Sequence, residues 1–387
     1  MSGILDYIGW RGDLSFQQDP PNAVDALIFS TLVYIRYGGH VEAEPNREIT
    51  LRDAAEEYFA LEDPENRVRV KNDLELLRLA AESRRFGFTR LVGYEDVLLP
   101  QQETQFAACT YLLDDGSAFL AFRGTDSSLI GWKEDFNMTF QQTIPSQRMA
   151  QQYVRRIAAE YPLPLRLGGH SKGGNLAVFA AARSSPMVQQ RILEVYNNDG
   201  PGFTDYMMGD PGYLAMVPRI KTFIPQSSVI GMLLEHQEVY RVVVSNRFGL
   251  MQHDPFSWEI DGSDFHMAEQ LTDSASLVNE TLHDWICTLS DEKRALFVDA
   301  LFSVLESTGA TTTKELSAAW LREAPAVLAA IKGLDEETTA FLLETLKQLG
   351  ALYMHNMNVR IPRLPALGHK PGAQADKSEQ REKTAEN

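Results

Sequence analysis

Two cysteines, Cys109 and Cys287, are all that a chain of 387 residues contains, and they lie far apart. That excludes a disulfide framework or a cysteine-based metal cluster, and both thiols read as core residues. Positive charge is also scarce. Against 53 Asp and Glu there are 36 Lys and Arg, a formal net charge of −17, and such a field repels phosphate backbones and anionic lipid surfaces. Nucleic acid is therefore not an expected partner. No run approaches the roughly 18–20 consecutive apolar residues of a membrane-spanning helix, and the opening Met-Ser-Gly-Ile-Leu-Asp-Tyr lacks a basic n-region and an apolar h-region. A cytoplasmic protein without a transmembrane segment is expected, and no internal repeat is visible.

What is present is ordinary for a folded protein: 44% hydrophobic and 10% aromatic residues, enough for one large domain and an appendage. Apolar spacing predicts helices over 22–37, 51–61 and 72–84, the last with Leu74, Leu77 and Ala81 at i, i+3 and i+7. Then the period changes. Segments 89–99, 106–113 and 118–123 are β-branched or aromatic, with Asp114-Asp115-Gly116 marking a hairpin turn between the last two. A helix over 146–161, a strand over 163–167, a helix beginning just after Ser171, and strands over 192–196, 220–224 and 239–244 follow. That alternation predicts an α/β fold with a largely parallel sheet covered by helices. Past residue 283 the pattern is helical only, as at 291–307 and 335–349. Three regions are expected: 1–282, a helical appendage over 283–360, and a polar, disordered tail over 361–387.

The sharpest local pattern is Gly169-His170-Ser171-Lys172-Gly173-Gly174, set between a short strand and a small-residue helix. This is the nucleophile-elbow spacing, in which flanking glycines let strand and helix backbones pass while the serine sits on a strained turn at a helix amino terminus. Ser171 is thus the candidate nucleophile. A serine needs a base held by a carboxylate, and the order expected around such an elbow is Ser, acid, His.

The histidines after Ser171 are His236, His253, His266, His283, His355 and His369. The last lies in the tail, and His283 and His355 lie in the appendage, where an exposed structural histidine is the plainer reading. His253 follows the last strong strand, in Met251-Gln252-His253-Asp254-Pro255-Phe256, where a loop-borne base belongs; His266 and His236 are its rivals. For the acid, Asp199 ends the strand after the elbow, in Asn197-Asn198-Asp199-Gly200-Pro201, while Pro225-Gln226-Ser227-Ser228 after the next strand carries no carboxylate. Two N–H donors are needed for the oxyanion, one from Lys172 and one from the turn Phe122-Arg123-Gly124-Thr125, where Thr125 also offers a hydroxyl. A cation in the first turn of a helix opposes the macrodipole, so the Lys172 side chain has no explanation at this level.

These residues resemble a known family. Phe122-Arg123-Gly124-Thr125 with Trp132, Asp135 and the elbow is similar to the class 3 lipase branch of the α/β-hydrolases. The opening Leu5-Asp6-Tyr7-Ile8-Gly9-Trp10-Arg11-Gly12-Asp13 and His253-Asp254-Pro255-Phe256-Ser257-Trp258 resemble the Mbeg-like family of bacterial lipase-like proteins. The resemblance implies an α/β-hydrolase fold, an oxyanion donor at Thr125, and Trp132 and Asp135 as a structural brace, with Asp135 pairing Arg123. It departs at the acid, which class 3 lipases place after the strand at 220–224, where Ser227 stands here. The resulting expectation is a serine hydrolase acting on an ester of an acyl lipid or similar apolar substrate, with no metal or organic cofactor. The same triad would serve an acyltransferase or thioesterase; a non-catalytic binding protein that kept the fold is the reading from a different class.

Overall fold

The computed structural model describes residues 2–41, 48–307, 309, 311–312, 315 and 334–360, with side chains to residue 355. The expected tail at 361–387, with His369, lies outside the described residues. Strands run in chain order as β1 (Ile49–Thr50), β2 (Arg90–Leu99), β3 (Thr104–Leu112), β4 (Ala118–Phe122), β5 (Leu165–His170), β6 (Ile192–Asn198), β7 (Ile220–Pro225), β8 (Tyr240–Val243), β9 (Ile260–Asp261), β10 (Asp264–Phe265) and β11 (Met267–Ala268). Helices of eight or more residues are α1 (Ile4–Arg11), α2 (Ala23–Leu32), α3 (Leu51–Phe59), α4 (Lys71–Glu82), α5 (Leu129–Asn137), α6 (Pro145–Glu160), α7 (Lys172–Ala182), α8 (Asp273–Thr288), α9 (Asp291–Glu306) and α10 (Glu336–Arg360).

One sheet takes β1 to β8 in sequence order and ends on β11, with β9 and β10 paired apart from it. Strands β1 to β4 are antiparallel neighbours, β4 to β8 run parallel, and β11 closes the edge antiparallel. The expected hairpin of the third and fourth strands is present, with Leu112 opposite Ala118. Because side chains alternate along a strand, each face buries its own set. Cys109, Tyr111, Phe119 and Ala121 join the core under α2, where the Phe29 ring lies 4.8 Å from Tyr111 and 5.0 Å from Phe119. Phe106, Ala108, Leu120 and Phe122 point the other way, to Val154 of α6 and Leu176 of α7.

Every residue of α2 is buried, so its charged member must be satisfied internally. Asp25 takes two hydrogen bonds from the buried Arg85 guanidinium, at 2.8 and 2.5 Å, and Asn22 caps the helix by accepting from the N–H groups of Val24 and Asp25.

A third core gathers Trp285 of α8, Phe297 and Phe302 of α9 and Leu342 of α10 with Leu129 and Phe136 of α5. The expected boundary at 282/283 falls inside α8. Of the two thiols, Cys109 is buried as expected, but Cys287 is exposed. The cause is simple: α8 turns Trp285 inward, Leu289 just beyond its end is buried as well, and Cys287, two positions from each, lies on the solvent side. Among the described residues no helix is long and apolar enough to cross a membrane.

Candidate active site

Strand register brings the chemistry together. Phe122 of β4 pairs with Gly169 of β5, His170 with Asn198 of β6, and Asn198 with Phe223 of β7. The segments leaving β4 to β7 therefore emerge along one edge of the sheet, and they carry Thr125, Ser171, Asp199 and Ser228 in turn. Ser171 has φ 59° and ψ −136°, a conformation that non-glycine residues adopt only when the surroundings enforce it. The enforcement is visible. A Cβ on Gly169 would sit 2.1 Å from the Gly173 carbonyl carbon, and one on Gly173 would sit 2.1 Å from the Phe122 carbonyl oxygen.

His253 ends a 3-10 turn over Gly249–His253, and its Nδ1 lies 2.6 Å from Oδ2 of Asp199. Asp199 is itself buried and held in the left-handed region at φ 53°. Its other oxygen, Oδ1, accepts from the Ser228 hydroxyl at 2.5 Å and from the Gly231 N–H at 3.2 Å. Ser228 belongs to the stretch after β7, which carries no carboxylate and so gives no triad acid. The available signal was a hydroxyl at the same sheet edge.

His170, inside the elbow, is a second residue that sequence reading passed over. Its imidazole is buried, which pushes its pKa well below the usual histidine range, with His253 and Arg69 acting in the same direction. The neutral ring bonds with Nε2 to the His253 carbonyl oxygen at 2.7 Å, while Nδ1 faces the Tyr34 hydroxyl at 3.4 Å.

The turn after β4 differs from expectation in one partner. Arg123 pairs with Asp96 of β2 at 2.7 Å, not with Asp135, since the antiparallel β2–β3–β4 run carries Asp96 to the same side. Asp135 instead takes the Thr125 hydroxyl, at 2.8 and 2.6 Å to its two oxygens. Burial pushes the Asp135 pKa up to about 6, against the opposing pull of the Lys172 ammonium and the Thr125 hydroxyl. Trp132, expected only as a brace, lines the cavity.

The Lys172 side chain now has its explanation: Nζ lies 2.8 Å from Glu134 and 3.1 Å from the Gln105 carbonyl, fully enclosed. Glu134 also accepts from the N–H groups of Gln105 and Ser146, each at 3.0 Å, so the pair ties β3, α5, α6 and α7 together.

The rival histidines are engaged elsewhere. His266 is half exposed beside Glu259 at 3.2 Å, and His283 lies 3.7 Å from Glu235, while His355 is exposed on α10. His236 bonds the Gly231 carbonyl at 2.9 Å and Glu238 at 3.0 Å. Burial alone would raise the Glu238 pKa, but His236 with the Thr222 and Tyr213 hydroxyls holds it down at about 2. Among the described residues, no cluster of three His, Cys, Asp or Glu is placed to hold a metal ion.

Ser171, His253, Thr125 and Lys172 all line one cavity of about 520 Å3, with largely apolar walls. A mostly parallel sheet, a strained serine between strand and helix, and an acid and a histidine meeting beyond the strand ends define an α/β-hydrolase fold. Within that fold the chain belongs to the Mbeg1-like family, whose model matches residues 80–303. No curated protein matches the chain.

Similar solved structures come from fungi. They include the Rhizomucor miehei lipase propeptide complex (15% identity, TM-score 0.31, 41% of this chain and 57% of that chain) and lipase II from Rhizopus niveus (12%, 0.35, 51% and 74%). A mutant form of MDLA from Penicillium cyclopium matches at 12% identity and TM-score 0.37, over 62% of this chain and 82% of that one. The chain thus spans little more than half of the first of these. Likeness at this distance carries no chemistry, which rests on the residues themselves.

Proposed function

We propose that the protein is a lipase-like serine hydrolase that cleaves a carboxylic ester of an apolar acyl group. The observation that carries this reading is the 2.6 Å contact between His253 Nδ1 and a buried Asp199, with His253 and the strained Ser171 both lining the cavity. With Nδ1–H committed to Asp199, Nε2 is the nitrogen that takes the Ser171 proton as Oγ attacks the ester carbonyl. Asp199 fixes the imidazole and stabilises the imidazolium; the same proton then goes to the leaving alkoxide, and water repeats the sequence on the acyl-enzyme.

Charge on the carbonyl oxygen is met by N–H groups. Lys172 is the first residue of α7, so its N–H has no acceptor within the helix. Thr125 offers its backbone N–H, because its hydroxyl proton is committed to Asp135. A fluorophosphonate probe should label the wild type and leave Ser171→Ala unlabelled, with loss of p-nitrophenyl octanoate hydrolysis in the same variant. Equal labelling of both would overturn the assignment.

A further inference from the structure

One wall of the cavity comes from α8 and α9: Leu282, Trp285 and Ile286 of α8, Leu289 just beyond its end, and Phe297 and Val298 of α9. All of these are apolar, and Arg294 of α9 is the one charged residue that these helices add to the lining. The helices are also fastened down. Arg294 of α9 donates to the Thr139 carbonyl at 2.6 Å and to the Ile286 carbonyl at 3.0 Å, so one guanidinium ties α9 both to α8 and to the segment after α5. Lys133 of α5 makes a second tie, 2.9 Å from Asp299 of α9 and 2.7 Å from Glu103. Between these ties Trp285 and Phe297 meet edge to face, ring centres 5.2 Å apart, and stiffen the wall.

The wall is therefore a fixed boundary of the cavity. A methylene displaces about the volume of a liquid water, roughly 30 Å3, so 520 Å3 corresponds to about 17 such groups at complete filling. The ester and a small leaving group use about five of these, leaving room for an acyl chain of about 8 to 12 carbons.

We propose that α8 and α9 form a ruler for the acyl chain, with Trp285, Ile286 and Val298 selecting a medium-length chain of about 8 to 12 carbons. This rests on the serine-hydrolase reading for turnover, but not for binding. Each methylene buried on the way to the wall should raise kcat/KM about threefold to fourfold, and chains that overrun it should lose that gain.

The test uses the full chain and p-nitrophenyl esters from two to eighteen carbons. Wild type should peak at about 8 to 12 carbons and fall at least about tenfold by sixteen. Ile286→Ala and Trp285→Leu, which deepen the cavity, should move the peak to longer chains, and Val298→Phe, which fills it, to shorter ones. Ile286 is only partly buried, so its variant should fold even if Trp285→Leu does not. A flat profile, a peak at two to four carbons, or one maximum shared by all variants would overturn the ruler.

Methyl esters of the same chain lengths, added to Ser171→Ala and read as a rise in Tm, separate this from failure of the hydrolase reading. A length optimum there supports the ruler even if wild type turns nothing over. Its absence sinks the ruler even if Ser171 is an active nucleophile.

Discussion

The hydroxyl of Ser228 donates to Oδ1 of Asp199 across 2.5 Å, on the side of the carboxylate away from His253. Two consecutive parallel strands thus act on one group, since β6 supplies the carboxylate at its end and the segment after β7 supplies the hydroxyl that aims it. A donor on a buried carboxylate is worth roughly 1–2 kcal/mol beyond simple solvation. Ser228→Ala should accordingly lower kcat by about fivefold to thirtyfold with little change in KM. Asp199→Asn should cost about 10²–10⁴, since the amide carries no charge and favours the wrong tautomer. Steady-state kinetics on an octanoyl ester give the ranking, and wild-type turnover in a stably folded Asp199→Asn would remove Asp199 from the triad.

His253 as base predicts an asymmetry among histidines. His253→Ala should lose hydrolysis by about 10³ or more, whereas His266→Ala, at a half-exposed position beside Glu259, should stay within about threefold of wild type. A reversed order in the same assay would transfer the role to His266.

His170 acts on the site through the backbone. Its Nε2 holds the His253 carbonyl, and its ring lies 4.5 Å from the His253 ring, centre to centre. His170→Ala removes that donor and opens a void beside Tyr34, at a cost of about 1–3 kcal/mol in unfolding free energy. The specific effect is on His253: kcat should fall about tenfold or more while the pH profile keeps its shape, because a neutral His170 contributes no ionisation. Urea melts and pH–rate curves on the variant check both parts.

The enclosed Lys172–Glu134 pair should be costly to break and cheaper to replace. Lys172→Met leaves the Glu134 carboxylate buried without its cation, a loss of about 3–5 kcal/mol. Adding Glu134→Gln should restore part of that, since the buried charge is gone and the single amide oxygen still accepts from one of the Gln105 and Ser146 N–H groups, which bond separate carboxylate oxygens in the wild type. Chemical denaturation of the single and double variants measures the recovery; a double variant no better than Lys172→Met would show that the charge itself was not the problem.

Glu238 links stability to pH. Its pKa is depressed from 4.5 to about 2 in the folded protein, so the contribution is complete above about pH 5 and disappears as pH falls towards 2. That shift corresponds to on the order of 3 kcal/mol, of which about 2 kcal/mol should be gone by pH 3. Glu238→Gln should lack this increment, so the difference between wild-type and variant unfolding free energies should shrink by that amount from pH 6 to pH 3.

The local sequence determined what depends on near neighbours. Ser171 is legible because an elbow needs glycines two positions to either side, and the antiparallel β3–β4 pair because Asp114-Asp115-Gly116 marks a turn between two β-branched or aromatic runs. Apolar spacing likewise marked α9 and α10 but not α8, and α10 runs on to Arg360, past the expected end at 349. Asp199 and His253 were legible as positions at strand ends, but their contact spans 54 residues and exists only because β6, β7 and β8 lie side by side in register. Partner choice was decided wholly in three dimensions. Arg123 meets Asp96 and not Asp135, Ser228 meets Asp199, and Lys172 finds Glu134, in each case across elements whose adjacency no local pattern encodes. The same holds for the α8 wall of the cavity: apolar spacing gives α8 one apolar face, while only its packing with α5 determines that part of this face lines the cavity that Ser171 also lines.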